Sequence, residues 1–566
     1  MVQRIWALRT ALTVILALVA GPAPALVTDT AQAAPTARAA TPPLSGFFVS
    51  AGSTDAENTT TLRQIKQVGG DTVVTFGNTL RTSSLDGQDR IRTGGEIDPA
   101  FTACRIDGRP CATAMAAEGR IRRVLTFANH SHFTQGALQC PLDRAITSRG
   151  QRFTLLMIPT GGEGCTSADG RYDLVAIHGG AAKGIDRTVS LLAAADRAGM
   201  AVYVGMPSVE KRTDVPWLPD LSYQDTFAEF TDRFLRYHKA VGATAALAGF
   251  YHHTEMPVAA GDVWQPVLDL YRLQNRAIAR ILPGRAALVS PYLDNRRSAN
   301  PGTDREELSA KTRDGARAIA ETASGVPLTI ALQDGMGTGK GGSYLVNERN
   351  GPVDPHTAAF VGEGTWDNTY VMPVSDSFRA ASAGLEGTGA RLWANVEGMT
   401  PQGGAGDTGC GAGGPRGKTT KDRLDRQVQA VARYTAKNIS FRWDPYYTCQ
   451  VSGTTLAEAL RHHVSTPLIT NAALNPQKNA LWVAGYNLAG STATVKYTDT
   501  HGRVRTATAQ ISAFSPGYGR HARLDRGLEG ATYPVTFTEP QRGKIFIVSV
   551  TSRTGGPGSR SFSLRY

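Results

Sequence analysis

The sequence predicts an α/β protein: a (β/α)8 barrel of the TIM type with a long insertion after strand 2, followed by a C-terminal all-β sandwich. Three observations carry this. Eight short apolar runs, 46–50, 71–78, 200–206, 247–252, 286–293, 327–332, 391–396 and 439–443, read as strands. Segments with helical spacing fall between them, and eight such repeats close naturally into a barrel. From Pro467 the pattern changes to short strands between turns rich in Gly, Asn and Asp, as in a sandwich. An open doubly wound sheet is the alternative for the first part. It would usually show a Gly-rich fingerprint after its first strand, and none is there.

Taken in order, residues 1–33 read as a secretory signal. Arg4 and Arg9 give the basic start, Ala11–Ala20 the apolar stretch and Ala31-Gln32-Ala33 the cleavage site. Residues 34–44, rich in Ala, Thr and Pro, read as a linker, and the barrel is expected over 45–464. Helices are expected at 58–68, 186–198, 263–282, 306–323, 375–385 and 421–435. The insertion, 79–185, carries four cysteines and two apolar runs, Arg123–Phe127 and Phe153–Ile158, that suit a small sheet. A loop this long is usually functional, and on a barrel it would stand over the active face as a wall or lid. The sandwich is expected over 465–566.

Composition sets the compartment and excludes some classes. The chain has 566 residues, an apolar fraction of 41%, a charged fraction of 19% and a net charge of +12, values of a globular, basic protein. Such charge favours anionic polymers, or merely solubility; the basic residues form no run of five. No run after the signal reaches the length of a membrane span. Six cysteines in an exported chain suggest disulfides, and proximity favours Cys104–Cys111, Cys140–Cys165 and Cys410–Cys449, although six allow about 15 connectivities. Without C-x-x-C or H-E-x-x-H, neither Asn129-His130-Ser131-His132 nor His252-His253 makes a convincing metal site. No G-x-S-x-G elbow is present. Gly339-Lys340 and Gly417-Lys418-Thr419 lack the earlier glycine of a phosphate loop. The expectation is a secreted, extracellular monomer acting on a polysaccharide or oligosaccharide, with no metal, cofactor or nucleic acid.

The chemistry is expected where carboxylates fall at strand ends: Glu255 after strand 4, Asp294 after strand 5, Asp334 after strand 6, Glu397 after strand 7 and Asp444 after strand 8. A bare charge is costly inside a barrel, so these should face its open rim. Glu255 could instead cap the following helix. Tyr251, Tyr292, Trp443 and Tyr446 are candidate platforms for the flat C–H faces of sugars; Trp393 and Tyr447 stand nearby, and Trp393 inside a strand also suits core packing. Carboxylates on strands 4 and 7 face each other across a barrel mouth, and glycoside hydrolysis needs such a pair. Glu255 suits the proton donor, tuned by Tyr251, His252 and His253. Glu397 suits the nucleophile or base, with Asn395 pointing the same way.

By these positions the barrel resembles the retaining glycosidases of clan A, which place the acid/base glutamate after strand 4 and the nucleophile after strand 7. Thr254 stands where that clan usually has Asn. The chain also resembles a family of secreted, glycosidase-like barrel proteins of undefined function. The residues concerned are Gly249-Phe250-Tyr251 through Glu255, Leu288–Tyr292, Gln333-Asp334-Gly335-Met336-Gly337 and Trp393–Glu397. The resemblance spans roughly 46–450 and implies a barrel with sugar chemistry. Two rivals remain: a glycan-binding protein without catalysis, and an inverting enzyme with Asp334 as base.

Overall fold

In the computed structural model, eight parallel strands close into a barrel. They are β1 (Gly46–Val49), β2 (Thr72–Thr75), β3 (Ala201–Gly205), β4 (Leu247–Tyr251), β5 (Ala286–Val289), β6 (Leu328–Gln333), β7 (Arg391–Glu397) and β8 (Asn438–Phe441). Closure is made by β1 pairing with both β2 and β8. The structure describes residues 40–161, 164–242, 244–401, 410, 416–450 and 453–566; the expected signal and most of the expected linker lie outside them.

The strands are short because only a few residues of each must span the core. One residue from every strand fills the barrel centre: Phe48, Val74, Tyr203, Tyr251, Leu288, Ala331, Trp393 and Ile439. Since side chains alternate across a strand, this layer fixes what stands above it. Two residues beyond Ala331 and Trp393 come Gln333 and Asn395, and two beyond Asn395 comes Glu397. Trp393 is thus core. Tyr251 packs edge-on to Phe48 at 5.1 Å and is core for its ring, not a platform.

The helices lie outside. They are α1 (Asp55–Gln67), α2 (Arg187–Ala198), α3 (Gln224–Val241), α4 (Gln265–Ile281), α5 (Arg305–Ala320), α6 (Val374–Gly384) and α7 (Lys421–Val431). Their starts are written locally: Thr54, Asp186, Asp304 and Thr420 accept from the third residue onward, as good N-caps do. α4 begins without a side-chain cap, so Glu255 does not cap it.

The insertion forms the expected sheet, with a further strand between its two apolar runs. Its two apolar runs are strands, Arg120–Ala128 and Gln151–Pro159, but they do not pair. Arg171–Ala181 lies between them. The sheet also takes in Thr79–Leu85, to which Ser208–Val209 from the loop after β3 is added. Nor is the sheet a lid. Leu125, Phe127, Leu156, Ile158, Val175 and Ile177 join the barrel's outer core, with Phe227, Phe230 and Phe234 of α3. The intervening residues Val124, Leu155, Met157, Leu174 and Ala176 face a second small core with Phe101 and Met115. Strands apolar on both faces must be covered on both, so the sheet is drawn against α3 on the barrel's flank. Each fully buried Phe or Leu there contributes roughly 1.5–3 kcal/mol. Arg233 of α3 reinforces the junction, pairing with Asp143 at 2.8 Å in full burial.

Downstream, strands Leu468–Asn475, Ala480–Tyr486, Glu529–Pro534 and Ala513–Ser515 form one antiparallel sheet. Thr492–Thr498, Val504–Gln510, Ile545–Thr551 and Phe562–Arg565 form another. Ile469, Val483, Tyr533, Val495, Val548 and Phe562 from both sheets share a single core, which makes the pair a sandwich. It docks on α7: Gln429 donates to the carbonyls of Ile469 and Ser561, and Arg560 pairs with Asp422 and Glu348.

The disulfides are Cys104–Cys111, Cys140–Cys165 and Cys410–Cys449. The last joins the loops after β7 and β8 and, by restricting the unfolded chain, stabilises by roughly 3–4 kcal/mol in the loop-entropy account. Among the described residues no helix is long and apolar enough to cross a membrane.

Candidate active site

Glu255 sits four residues beyond the end of β4, on a loop fixed at both sides. The Tyr271 hydroxyl of α4 donates to the Thr254 carbonyl at 2.6 Å. Backbone bonds between Tyr292 and Met256 (3.1 Å) and between Val258 and Tyr292 (2.8 Å) tie the loop to the end of β5. The Glu255 carboxylate accepts from Gln333 Nε2 at 3.0 Å and from the Tyr251 hydroxyl at 3.5 Å. Gln333 also donates to the Ser290 carbonyl at 2.7 Å, which holds it in place. The Glu255 side chain reaches water, yet enough protein surrounds it that desolvation raises its pKa. Gln333, Lys211 and Lys340 pull partly the other way. Such a carboxyl holds a proton higher than an ordinary glutamate does.

Glu397, the last residue of β7, is treated differently. It is 2% exposed, so the expectation that every strand-end carboxylate faces an open rim fails here. The loop after β6 folds down onto it. The Thr338 amide donates to Oε2 at 2.6 Å and the Thr338 hydroxyl lies 3.3 Å from Oε1. A Cβ on Gly337 would stand 2.5 Å from the Glu397 Cβ, so only glycine permits this approach. Asp334 is buried in the same place. Its Oδ1 accepts from the amides of Met336 (3.2 Å) and Glu397 (3.3 Å), while Oδ2 has no hydrogen-bond partner among the described residues. Burial first, then the neighbouring Asp334, pushes Glu397 up to about 8; burial raises Asp334 to about 6. Two buried carboxyls this close do not both ionise, so the pair holds one proton through neutral pH. Burial is tolerable because the second charge is absent.

The other expected residues divide. Asn395 faces the lumen and donates to Ser290 Oγ at 2.9 Å, and its own oxygen has no hydrogen-bond partner among the described residues. His253 stands half-buried on the lumen side, its pKa lowered by burial and by Lys211. Tyr292 is half-buried, with the Lys340 ammonium 4.1 Å from its ring centroid. Asp294 is neutralised by Arg296, which donates to it through Nε at 2.8 Å and through the guanidinium terminus at 2.5 Å. Asp444 is exposed and accepts from the Thr448 hydroxyl at 2.6 Å, a local turn contact. Tyr446 is buried near Phe441.

Two further expectations are corrected. His252 points outward, its ring nitrogens 2.6 Å from Gln274 and 2.8 Å from Asn275 of α4; alternation sends it away from the mouth as it sends Tyr251 inward. Trp443 is stacked on Tyr447 at 5.5 Å and edge-on to Phe47 at 5.0 Å, in the layer between strands and helices. Neither can touch a ligand at the mouth.

Sequence reasoning missed the roles of Gln333, Thr338, Lys211 and Lys340. The period-two spacing from Ala331 would have placed Gln333 in the lumen. The others sit on loops, where no periodicity operates. Beside the site, a cleft of about 160 Å³ lies between the ends of β1–β3 and the insertion, lined by Ser50, Asn78, Asn129, His130, Arg187 and His238 among others. Among the described residues no cluster of three His, Cys, Asp or Glu could hold a metal.

The fold and site thus define a (β/α)8 barrel with carboxyl groups at the strand-4 and strand-7 ends. No family model and no curated protein matches the chain. Solved structures to which the chain is similar include an endo-beta-1,4-mannanase from Thermotoga petrophila. It is 9% identical, with 92% of this chain and 97% of that one covered and a TM-score of 0.39. A glycoside hydrolase family 5 protein from Bacteroides vulgatus is 10% identical, with 87% and 89% covered and a TM-score of 0.32. An exo-beta-1,4-mannosidase from Opitutaceae bacterium strain TAV5 is 13% identical, with 74% and 59% covered and a TM-score of 0.33. The barrel and the roles of its residues rest on the geometry above.

Proposed function

We propose that this protein is a secreted glycoside hydrolase that cleaves an extracellular or cell-wall polysaccharide with retention. The observation that carries the reading is Glu255: a carboxyl reached by solvent, its pKa raised above the ordinary glutamate value by desolvation, and oriented by Tyr251 and Gln333. That is what a general acid requires. It would protonate the leaving oxygen, then as a carboxylate deprotonate the incoming water. Glu397 supplies the partner on the lumen face of β7. With Asp334 it shares one proton near neutral pH; when that proton passes to Asp334, the Glu397 carboxylate attacks the sugar carbon as the bond to the leaving oxygen breaks. Retention requires the Glu255 and Glu397 carboxyls about 5–5.5 Å apart in the working complex. The β6 loop, with Thr338 on Glu397, must shift to admit the sugar.

The burial of Glu397 also favours a second reading, a glycan-binding protein whose strand-7 carboxyl is structural. Incubating the secreted protein with a panel of polysaccharides, and following new reducing ends and product anomers by NMR, separates the two. Release of the anomer of the substrate supports the proposal. Release of the opposite anomer makes Asp334 the base of an inverting enzyme. Binding without release on every glycan bound leaves only the binding reading.

A further inference from the structure

The chemistry proposed above leaves the cleft beside the mouth unused. Its volume is about 160 Å³, below the roughly 300–1,000 Å³ of pockets that enclose drug-sized ligands, so it suits one sugar ring and not a run of them. Its walls come from two sides: the ends of β1 and β2 supply Ser50, Phe76 and Asn78, and the insertion supplies Phe127, Asn129 and His130. Aromatic faces among hydroxyl, amide and imidazole groups match a sugar, which is apolar on its C–H faces and hydrogen-bonds around its edge. No carboxylate lines the cleft. Burial lowers the pKa of His130 and takes that of His238 down to about 4, so each imidazole is neutral, with one donor and one acceptor. His238 borders the cleft at 1% exposure, and its Nδ1 has no hydrogen-bond partner among the described residues. A buried imidazole left unpaired is costly, and a ligand hydroxyl is what can pair it. The cleft adjoins the mouth at Phe76 and Gly77. The Phe76 ring lies 5.5 Å from that of Phe48 in the lumen. A Cβ on Gly77 would come 2.8 Å from the His253 Cβ, and His253 stands two residues before Glu255.

We propose that this cleft is a second sugar-binding pocket, and that it takes a single neutral sugar carried as a side branch on the glycan at the mouth. The inference rests on reading the mouth as a glycan site and adds that the glycan is branched. The cleft lies toward the flank, between the strand ends and the insertion. A main chain lying across the lumen would pass its edge, and only a group projecting sideways would enter. The insertion thereby gains a task other than that of a lid. Its strand Arg120–Ala128 carries Phe127, with Asn129 and His130 just beyond its end, and these form a wall that the barrel alone lacks.

The test uses the mature protein, with binding measured by calorimetry and cleavage by reducing ends. The probes are pairs that share a backbone: galactomannan and plain manno-oligosaccharide, arabinoxylan and debranched xylan, xyloglucan and cello-oligosaccharide. Glucuronoxylan is the acidic comparison. On the backbone that binds, the branched member should bind about tenfold tighter than the plain one, the worth of one or two net hydrogen bonds. Ser50→Trp fills the cleft from the barrel side and should erase that preference. His130→Asn, on the facing wall, should reduce it; Asn tolerates the left-handed φ of 54° at that position. A preference unchanged in both variants would overturn the proposal, as would tighter binding of glucuronoxylan than of every neutral branched glycan. Cleavage of a plain and a branched member alike, bound equally, would overturn it while leaving the hydrolase reading intact. A branch preference erased by Ser50→Trp, with no glycan cleaved, would uphold the pocket and remove the hydrolase reading. Binding of no glycan at all would remove both.

Discussion

The ends of β4 and β7 occupy equivalent places on one barrel and treat a glutamate in opposite ways. Glu255 lies on a loop beyond its strand, in reach of water, with side chains as partners. Glu397 is still part of its strand and is roofed by a glycine-rich loop, with a backbone amide and a second carboxyl for company. Both are raised by desolvation, but only Glu397 has an acidic neighbour raising it further. Equivalent position therefore fixes which way a residue faces, while the next loop along fixes its charge. A solvent-reached acid can exchange protons with water. A buried one exchanges them chiefly with its partner, and its anion is available only when the roof opens.

The largest effect that would sharpen this contrast is on turnover. Glu397→Gln should abolish hydrolysis of every substrate, a loss on the order of 10⁴-fold in kcat, since the attacking charge is gone. If an active substrate is found and this variant keeps near-normal turnover, the strand-7 assignment is wrong and Asp334 is the next carboxyl to replace. Glu255→Gln should cost about 10²–10⁴-fold on polysaccharide yet spare the first step on aryl glycosides with good leaving groups. The trapped glycosyl-enzyme should be visible by mass spectrometry and released by added azide. Equal losses on good and poor leaving groups would remove the asymmetry.

A smaller effect is expected from the pH profile. Gln333→Met removes a hydrogen bond that favours the ionised form of Glu255, so the alkaline limb of kcat/KM should move upward by a fraction of a unit. A downward move would show that Gln333 acts otherwise. In wild type the acid limb should report the Asp334–Glu397 pair, whose lower value is about 6.

The smallest effect is on stability. Glu397 has a folded pKa of about 8 against an ordinary 4.5, so the folded state binds the proton more tightly. Its contribution is fully present below pH 4.5 and is lost as pH rises through about 8. Glu397→Gln cannot lose it, so its Tm relative to wild type should rise between pH 5 and pH 9, by about 2 °C or more. A constant difference across that range would mean the carboxyl is not held neutral.

The sequence by itself determined the barrel and the all-β tail. Both follow from hydrophobic periodicity, which is local and survives in a single chain. The same periodicity marked the lumen side of β7, so Asn395 and Glu397 were legible together. Proximity in sequence favoured the disulfide pairs that the structure forms, without settling them. Only the tertiary structure decided the rest. Phe153–Ile158 and Arg123–Phe127 were recognisable as strands, but that Arg171–Ala181 separates them depends on pairing across the sheet. That the insertion flanks α3 instead of roofing the mouth depends on both of its faces needing cover. His252 and Trp443 could not be told from ligand-contacting residues, because an apolar or imidazole ring reads the same whether it meets a helix or a sugar. The protonation of Glu397 was the least accessible of all. It arises from a carboxyl just past the neighbouring strand and from a glycine on a loop, Asp334 and Gly337, about 60 residues away along the chain. Charge in a protein is set by what surrounds a group in space, and the sequence names those surroundings without saying that they meet.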